Sequence, residues 1–341
     1  MVYSSHRLDH RVPGSRHSPK VVALGGGHGL YASLSALRLV TPHITAVVTV
    51  ADDGGSSGRL RDQFNVLPPG DLRMALSALC DDSEWGHLWR EAIQHRFSAL
   101  PEAPREIDGH AMGNLLLVSL WQLLGDPVAG LEWASRLVEA RGRVLPMALD
   151  PLVISGEAVA EDGSRERLIG QAKLAKAERV ENLVLEPVDA RVCEASVRAI
   201  MDADWVILGP GSWFTSVVPH LLLRESREAL CETKAKICVS MNLGLEEKET
   251  AGLGAIGHLE ALEKYAPDLS IGAVIGDPTS IQEQQAFEEA VRRREAKMVW
   301  SDLRTRRGEN LHNPLRLAAA YQEAMRVPDN SFGVEPDSPS V

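Results

Sequence analysis

Val21-Val-Ala-Leu-Gly25-Gly-Gly-His-Gly29-Leu30 is the stretch whose reading decides the fold. Val21 to Leu24 has the length and composition of a short buried strand, and it runs into a turn with four glycines among the five residues Gly25 to Gly29. Leu30, Leu34 and Leu37 follow at a spacing close to one helical face, and a second apolar run, Ile44 to Val50, comes next. Two β-rich runs flanking a helix make a βαβ unit, whose strands lie parallel and whose crossover is right-handed. The unit predicts an α/β fold: a doubly wound, mostly parallel Rossmann-like sheet.

Downstream segments extend this reading. From about Leu72 to Val138 the pattern is mainly helical, and Met112 to Leu124 reads as a buried core helix too short to span a bilayer. Between Val144 and Leu185, Leu152 to Ile154, Ala158 to Ala160 and Val180 to Leu185 read as strands, and Asp162-Gly163 reads as a hairpin turn. A small antiparallel β insertion is expected there. Trp205 to Leu208, Ile237 to Val239 and Ile271 to Ile275 resume the parallel sheet, with helices over Val217 to Leu230 and Ala255 to Lys264. Gln282 to Lys297 reads as a charged surface helix with Glu288/Arg292 and Glu289/Arg293 at i,i+4. One α/β domain is expected over 20–327, with disordered tails at 1–19 and 328–341.

The chain has 341 residues, 44% of them hydrophobic, and a formal net charge of −11. That charge supplies no general basic field, so nucleic acid is not an expected partner and a phosphate must be held by a local set of amides and cations. No membrane span and no secretory segment is indicated. Cys80, Cys193, Cys231 and Cys238 form no C-x-x-C pair and no metal-finger spacing. Buried free thiols in the reducing cytoplasm are the reading they support.

The candidate chemistry sits at the strand ends. The turn Gly25, Gly26, Gly27, His28, Gly29 offers helix N-terminal amides and close backbone approach, which is a phosphate cradle. Gly27-x-Gly29-x-x-Ala32 also fits a loosened dinucleotide fingerprint, with Asp52 and Asp53 where a ribose-binding acid would lie. That match alone is not specific, and no hydride-transfer constellation accompanies it. After the second strand, Asp52, Asp53, Gly54, Gly55, Ser56, Ser57, Gly58, Arg59, Leu60 and Arg61 gather carboxylates, hydroxyls and guanidinium groups. The carboxylates suit Mg²⁺ or sugar hydroxyls, and Arg59 and Arg61 suit a phosphate or the acids themselves.

In Pro68-Pro-Gly-Asp71-x-Arg73, Asp71 reads as a helix N-cap and also as a partner for Asp53 at a metal, with Arg73 facing a phosphate. His110-Ala-Met-Gly113-Asn114 reads first as a cap for the apolar helix, with Asn114 also a candidate ligand contact. A second small-residue turn, Gly209-Pro210-Gly211-Ser212-Trp213-Phe214-Thr215-Ser216, again brings hydroxyls to a helix start. Two such turns in a doubly wound sheet suggest one ligand held at the switch between the sheet halves. No G-x-x-x-x-G-K-[ST] occurs, which argues against a P-loop kinase.

Together, Gly25 to Leu30, Thr49 to Arg61, Pro68 to Arg73, Gly109 to Leu117 and Gly209 to Ser216 resemble the gluconeogenesis-factor family, the YvcK group within the CofD-like superfamily. The resemblance runs from about Lys20 to Gly276. It implies a Rossmann-like protein that binds a UDP-sugar, typically UDP-N-acetylglucosamine, and supports cell shape and envelope synthesis during gluconeogenic growth. The superfamily's 2-phospho-L-lactate transferases are similar at the glycine turn and at the acids matching Asp52, Asp53 and Asp71, which there hold a metal at the transferred phosphate. Under that alternative Asp53 and Asp71 would be catalytic and metal-binding. The chain departs from the group at His28, Met74 and His220, where Thr, Asn and Asn are usual. A phosphorylated small molecule is the expected partner, and self-association is compatible with the reading.

Overall fold

The computed structural model describes residues 18–100, 102, 106–160, 162–177, 179–244, 250, 252–306 and 309–326. The two expected tails fall almost wholly outside the described residues. The chain opens with β1 (Val21–Gly25), α1 (Gly27–Leu37) and β2 (Ile44–Val48). β1 and β2 pair in parallel, Val21 with Ile44 through to Gly25 with Val48. Every residue of β1 is buried, as a strand covered on both faces must be.

An α-rich segment follows: α2 (Gly55–Phe64), α3 (Pro69–Leu79), α4 (Glu84–Gln94), α5 (Met112–Leu124) and α6 (Pro127–Leu137). Asp71 does not cap α3. Pro68 holds that position, because proline's fixed φ starts a helix, and Asp71 sits in the first turn. Likewise Ala111 is the cap residue of α5 and Asn114 lies inside it. The helix α5 is only half buried: Leu117, Val118 and Trp121 face the core, whereas Leu123 is 79% exposed. A mostly apolar sequence, broken only by Asn114, Ser119 and Gln122, hid which side of α5 was covered.

Next, β3 (Arg143–Pro146) joins the parallel sheet beside β2. The antiparallel insertion comprises β4 (Val153–Val159), β5 (Arg165–Ile169), a single turn α7 (Gln171–Leu174) and β6 (Val180–Glu186), in the order β5-β4-β6. Salt bridges Arg165–Glu157, at 2.8 Å, and Arg167–Glu186, at 2.6 Å, join its strands. The chain then runs through α8 (Glu194–Met201), β7 (Trp205–Leu208), a π-turn (Trp213–Val217), α9 (Pro219–Leu222), α10 (Arg224–Glu232) and β8 (Lys236–Ser240). It continues through α11 (Gly254–Tyr265), β9 (Ile271–Gly276), α12 (Gln284–Arg293), β10 (Lys297–Trp300) and α13 (Pro314–Met325).

The large sheet has seven strands in the order β10-β9-β8-β7-β1-β2-β3, all parallel. The order reverses between β1 and β7, so the crevice at their carboxyl ends is where such a sheet takes a ligand. Several local expectations shift. The helix expected over 217–230 is split into the π-turn, α9 and α10. The ion pair found on α12 is Arg292–Glu289, at i,i+3 and 2.7 Å. Of the four cysteines, all free, Cys231 is only half buried. No described helix is long and apolar enough to cross a membrane.

Candidate functional site

The two glycine turns meet at the switch point. A Cβ on Gly29 would overlap the Pro210 carbonyl oxygen and the Gly211 Cα, so only glycine lets the chains approach this closely. A Cβ on Gly26 would lie 2.5 Å from the Thr49 hydroxyl and closer still to the Asp71 carboxylate. Gly26 is extended and has no side chain to cap α1, and no acid occupies the helix's own first turn, although the Asp71 carboxylate takes the Gly27 N–H from outside. The start of α1 thus presents amides and the positive end of a dipole to whatever lies in front of it.

That space is a cleft of about 710 Å³, within the range of small-molecule sites. Gly26, Gly27, His28 and Gly29 line one side of it, Gly211, Ser212 and Ser216 the second turn's side, and Asp52 and Asp71 an acidic end. Gln171, Asn242, Tyr31 and His312 also reach it. Among the described residues that line the cleft there is no lysine or arginine. An anion there is held by amides, hydroxyls and imidazole.

The second turn is braced from behind. Asn242 accepts from the Gly211 N–H at 2.7 Å and donates to the Gly211 carbonyl at 2.8 Å. Ser33 donates to the Gly209 carbonyl at 3.1 Å and bonds the Tyr321 hydroxyl at 2.8 Å, which ties α1 and α13 to the turn. Gly209 itself packs on the Ser240 carbonyl, and Thr215 is buried with its hydroxyl bonded to Ser212, so neither faces the cleft. The turn leads into a π-turn instead of an α-helix, which makes it a wall with hydroxyls instead of a second helix N-terminus.

Two carboxylates converge at the acidic end. Asp71 accepts from the Gly27 N–H and, at 3.5 Å, from the Thr49 hydroxyl. Burial, and then the charge of Asp52, push its carboxyl up to about 7, because both disfavour a second negative charge. Burial also raises Asp52, which accepts from the Gly54 N–H at 2.9 Å. The pair in the cleft is therefore Asp52 and Asp71. Asp53 turns the other way and accepts from the Ala172 N–H at 3.0 Å, which corrects the expected Asp53–Asp71 metal pair. Among the described residues no group of three or more His, Cys, Asp or Glu assembles.

Other expected contacts serve the scaffold. Gly25 ends β1 and accepts from the Thr49 N–H, while Gly54 and Gly55 start α2. Ser57 accepts from the Gly70 N–H at 3.0 Å and supports Asp52 from below. Ser56 bonds His110 and accepts from Asn114, and Asn114 accepts from the buried Arg73 at 3.0 Å. That chain of bonds sews α2, α3 and α5 together, and it takes Arg73 out of the cleft. Arg59 donates to the Asp108 carbonyl at 2.9 Å. His220, whose ring lies against the Gly25 backbone, is fully buried and pushed down to about 3 by desolvation, so it stays neutral beneath the first turn. Sequence reading missed Gln171, at the start of the single-turn helix α7, and His312, on the loop before α13, neither of which has a local signature.

Comparison with known proteins fits this geometry. The family model described as "2-phospho-L-lactate transferase CofD" matches residues 21–314. The Mycobacterium tuberculosis protein named "Putative gluconeogenesis factor" is 45% identical over 307 residues, covering 88% of this chain and 88% of the relative. The "Gluconeogenesis factor" of Halalkalibacterium halodurans is 39% identical over 243 residues, covering 71% of this chain and 72% of the relative. A crystal structure of a UPF0052-family protein from Bacillus halodurans superposes with a TM-score of 0.78 at 30% identity, over 90% of this chain and 100% of the other. With matches that run along most of both partners, this chain belongs to the CofD family and, within it, to the gluconeogenesis-factor group.

Proposed function

We propose that the chain is a nucleotide-sugar-binding regulator, taking UDP-N-acetylglucosamine or a close chemical relative in the cleft, and acting in gluconeogenic growth, cell shape and envelope synthesis. The observation that carries the binding reading is the interlock of Gly29 with Pro210 and Gly211 at the switch point. It sets the first-turn amides of α1, beyond the one that Asp71 takes, and the hydroxyls of Ser212 and Ser216 around one space, as a diphosphate requires. The acidic end suits the hydroxyls of a ribose or a sugar. The names of the relatives support the gluconeogenic part of the proposal.

A second reading, a Mg²⁺-dependent phosphotransferase, is favoured by the Asp52–Asp71 pair, an oxygen-only donor set of the kind Mg²⁺ prefers. The ion would offset phosphate charge that no lysine or arginine meets among the described lining residues. Calorimetry with UDP-N-acetylglucosamine, with and without Mg²⁺, tests both. Saturable binding with the ligand recovered intact supports the regulator, and release of UMP, with the sugar-phosphate group passed to an acceptor or to water, supports the transferase. Tight GDP binding with no heat from UDP-sugars overturns the nucleotide-sugar reading.

A further inference from the structure

Between β10 and α13 the chain doubles back on itself as a strap. The Thr305 N–H donates to the Leu311 carbonyl at 2.8 Å, the Asn313 N–H donates to the Leu303 carbonyl at 2.7 Å, and Arg304 and His312 face each other as antiparallel neighbours. Thr305, Asn310, Leu311 and His312 of this strap line the cleft, whereas Arg304 does not. A two-stranded ribbon outside the main sheet is only marginally stable by itself, so its position has to be imposed from elsewhere.

Arg304 imposes it. Its Nε donates to Thr279 Oγ1 at 3.1 Å, Nη1 to the Glu309 carbonyl at 2.8 Å and to Asn310 Oδ1 at 2.7 Å, and Nη2 to the Leu243 carbonyl and to Ser280 Oγ, both at 2.8 Å. Those acceptors match the five N–H groups of a guanidinium, which leaves none for a ligand. They also come from three separate places: the strap, the loop after β9, and the residue that follows Asn242. The buried Asp277 fixes the same junction, accepting from the Thr279 N–H at 2.7 Å and from the Leu303 N–H at 2.8 Å. Because Asn242 clamps Gly211, the strap and the second glycine turn share one anchor at Leu243.

We propose that Arg304 is a positioning residue of the cleft: its planar fork holds the strap and the chain at Leu243 in the binding arrangement before a ligand arrives. Lysine would carry the same charge on a single nitrogen, which cannot bridge all three places. A strap held in place only part of the time lowers affinity by that fraction. The loss falls on association, because the ligand meets fewer competent chains. Loss of a direct contact falls on dissociation instead. The positioning is independent of the ligand's identity, and the binding measurement below rests on the nucleotide-sugar reading.

Two measurements on the full chain compare the wild type with Arg304→Lys. Hydrogen exchange without ligand at the Leu303, Thr305 and Asn313 amides should quicken about tenfold while β1 and β7 keep their protection. Unchanged exchange in the strap, or an equal loss of protection in β1 and β7, overturns the positioning. Stopped-flow binding of UDP-N-acetylglucosamine should show association slower by about tenfold and dissociation within about twofold of the wild type. An association rate equal to the wild type's, or a loss carried by dissociation, overturns the link from Arg304 to the cleft. A wild-type chain that does not bind UDP-N-acetylglucosamine overturns the nucleotide-sugar reading, and the exchange result then decides the positioning alone.

Discussion

The turn after β1 and the turn after β7 share a composition but differ in what stands behind them. The first opens an 11-residue α-helix and leans on an ionisable group, Asp71, through the Gly27 N–H. The second opens a π-turn and leans on a neutral amide, Asn242, which clamps both polar groups of Gly211. A glycine-rich turn in the sequence therefore does not specify its own chemistry. The backing residue decides whether the turn responds to pH and whether it ends in free amides.

The largest effect should come from breaking the contact between the turns. In Gly29→Ala the new methyl meets backbone atoms of Pro210 and Gly211 that no side-chain rotation can move. A loss of about 3 kcal/mol or more is expected in denaturant unfolding, together with loss of UDP-N-acetylglucosamine binding.

A smaller effect sharpens the first turn's dependence on charge. Because the Asp71 carboxyl rises from 3.8 to about 7, the folded chain holds its proton more tightly than the unfolded chain does. Stability is thus lost as pH rises from about 4 to about 7, where the unfolded carboxyl ionises freely and the folded one resists. Asp71→Asn removes that cost. The variant should be more stable than the wild type by about 1–3 kcal/mol near pH 8 and nearly equal to it near pH 4, read as paired unfolding curves. A constant difference across that window would contradict the assignment.

The smallest effect belongs to the second turn. Asn242→Ala leaves the Gly211 N–H and carbonyl to find other partners, and a loss of about 1–2 kcal/mol is expected. Unlike the Asp71 effect, it should not change between about pH 5 and pH 8, since no titrating group is removed. A pH-dependent loss would erase the distinction between the turns.

Much of the frame was readable because period and punctuation agree locally. β1, the Gly25 turn and α1 form a strand, a breaker and a helical stripe in sequence, and the structure repeats that order, with α1 starting inside the glycine run at Gly27. The insertion was legible from Asp162-Gly163 between short apolar runs. In contrast, β10 is four residues after a charged helix, and α8 and α13 carry mixed patterns that only packing resolves. At the site, motif membership marked the neighbourhood and not the direction of side chains. Arg73 and Asn114 bond each other, and Arg59 reaches a carbonyl, although all three carry the polar chemistry of a ligand site. Asp52 and Asp53 are adjacent, so a strand end sends them to opposite sides, and sequence offers no way to choose between them. Gln171 enters from the short helix α7 and His312 from the loop before α13, both distant in sequence, so their placement is tertiary.

The bond between Ser33 and Tyr321 spans 288 residues. During synthesis, the glycine turn at the start of the sheet emerges long before the helix that braces its neighbour. Leu311, His312 and Pro314, which close one side of the cleft, also come late. Contacts this far apart in sequence form slowly and last. The nascent chain therefore carries its most recognisable motif through most of translation without a completed cleft, whose last wall comes with the segment leading into α13.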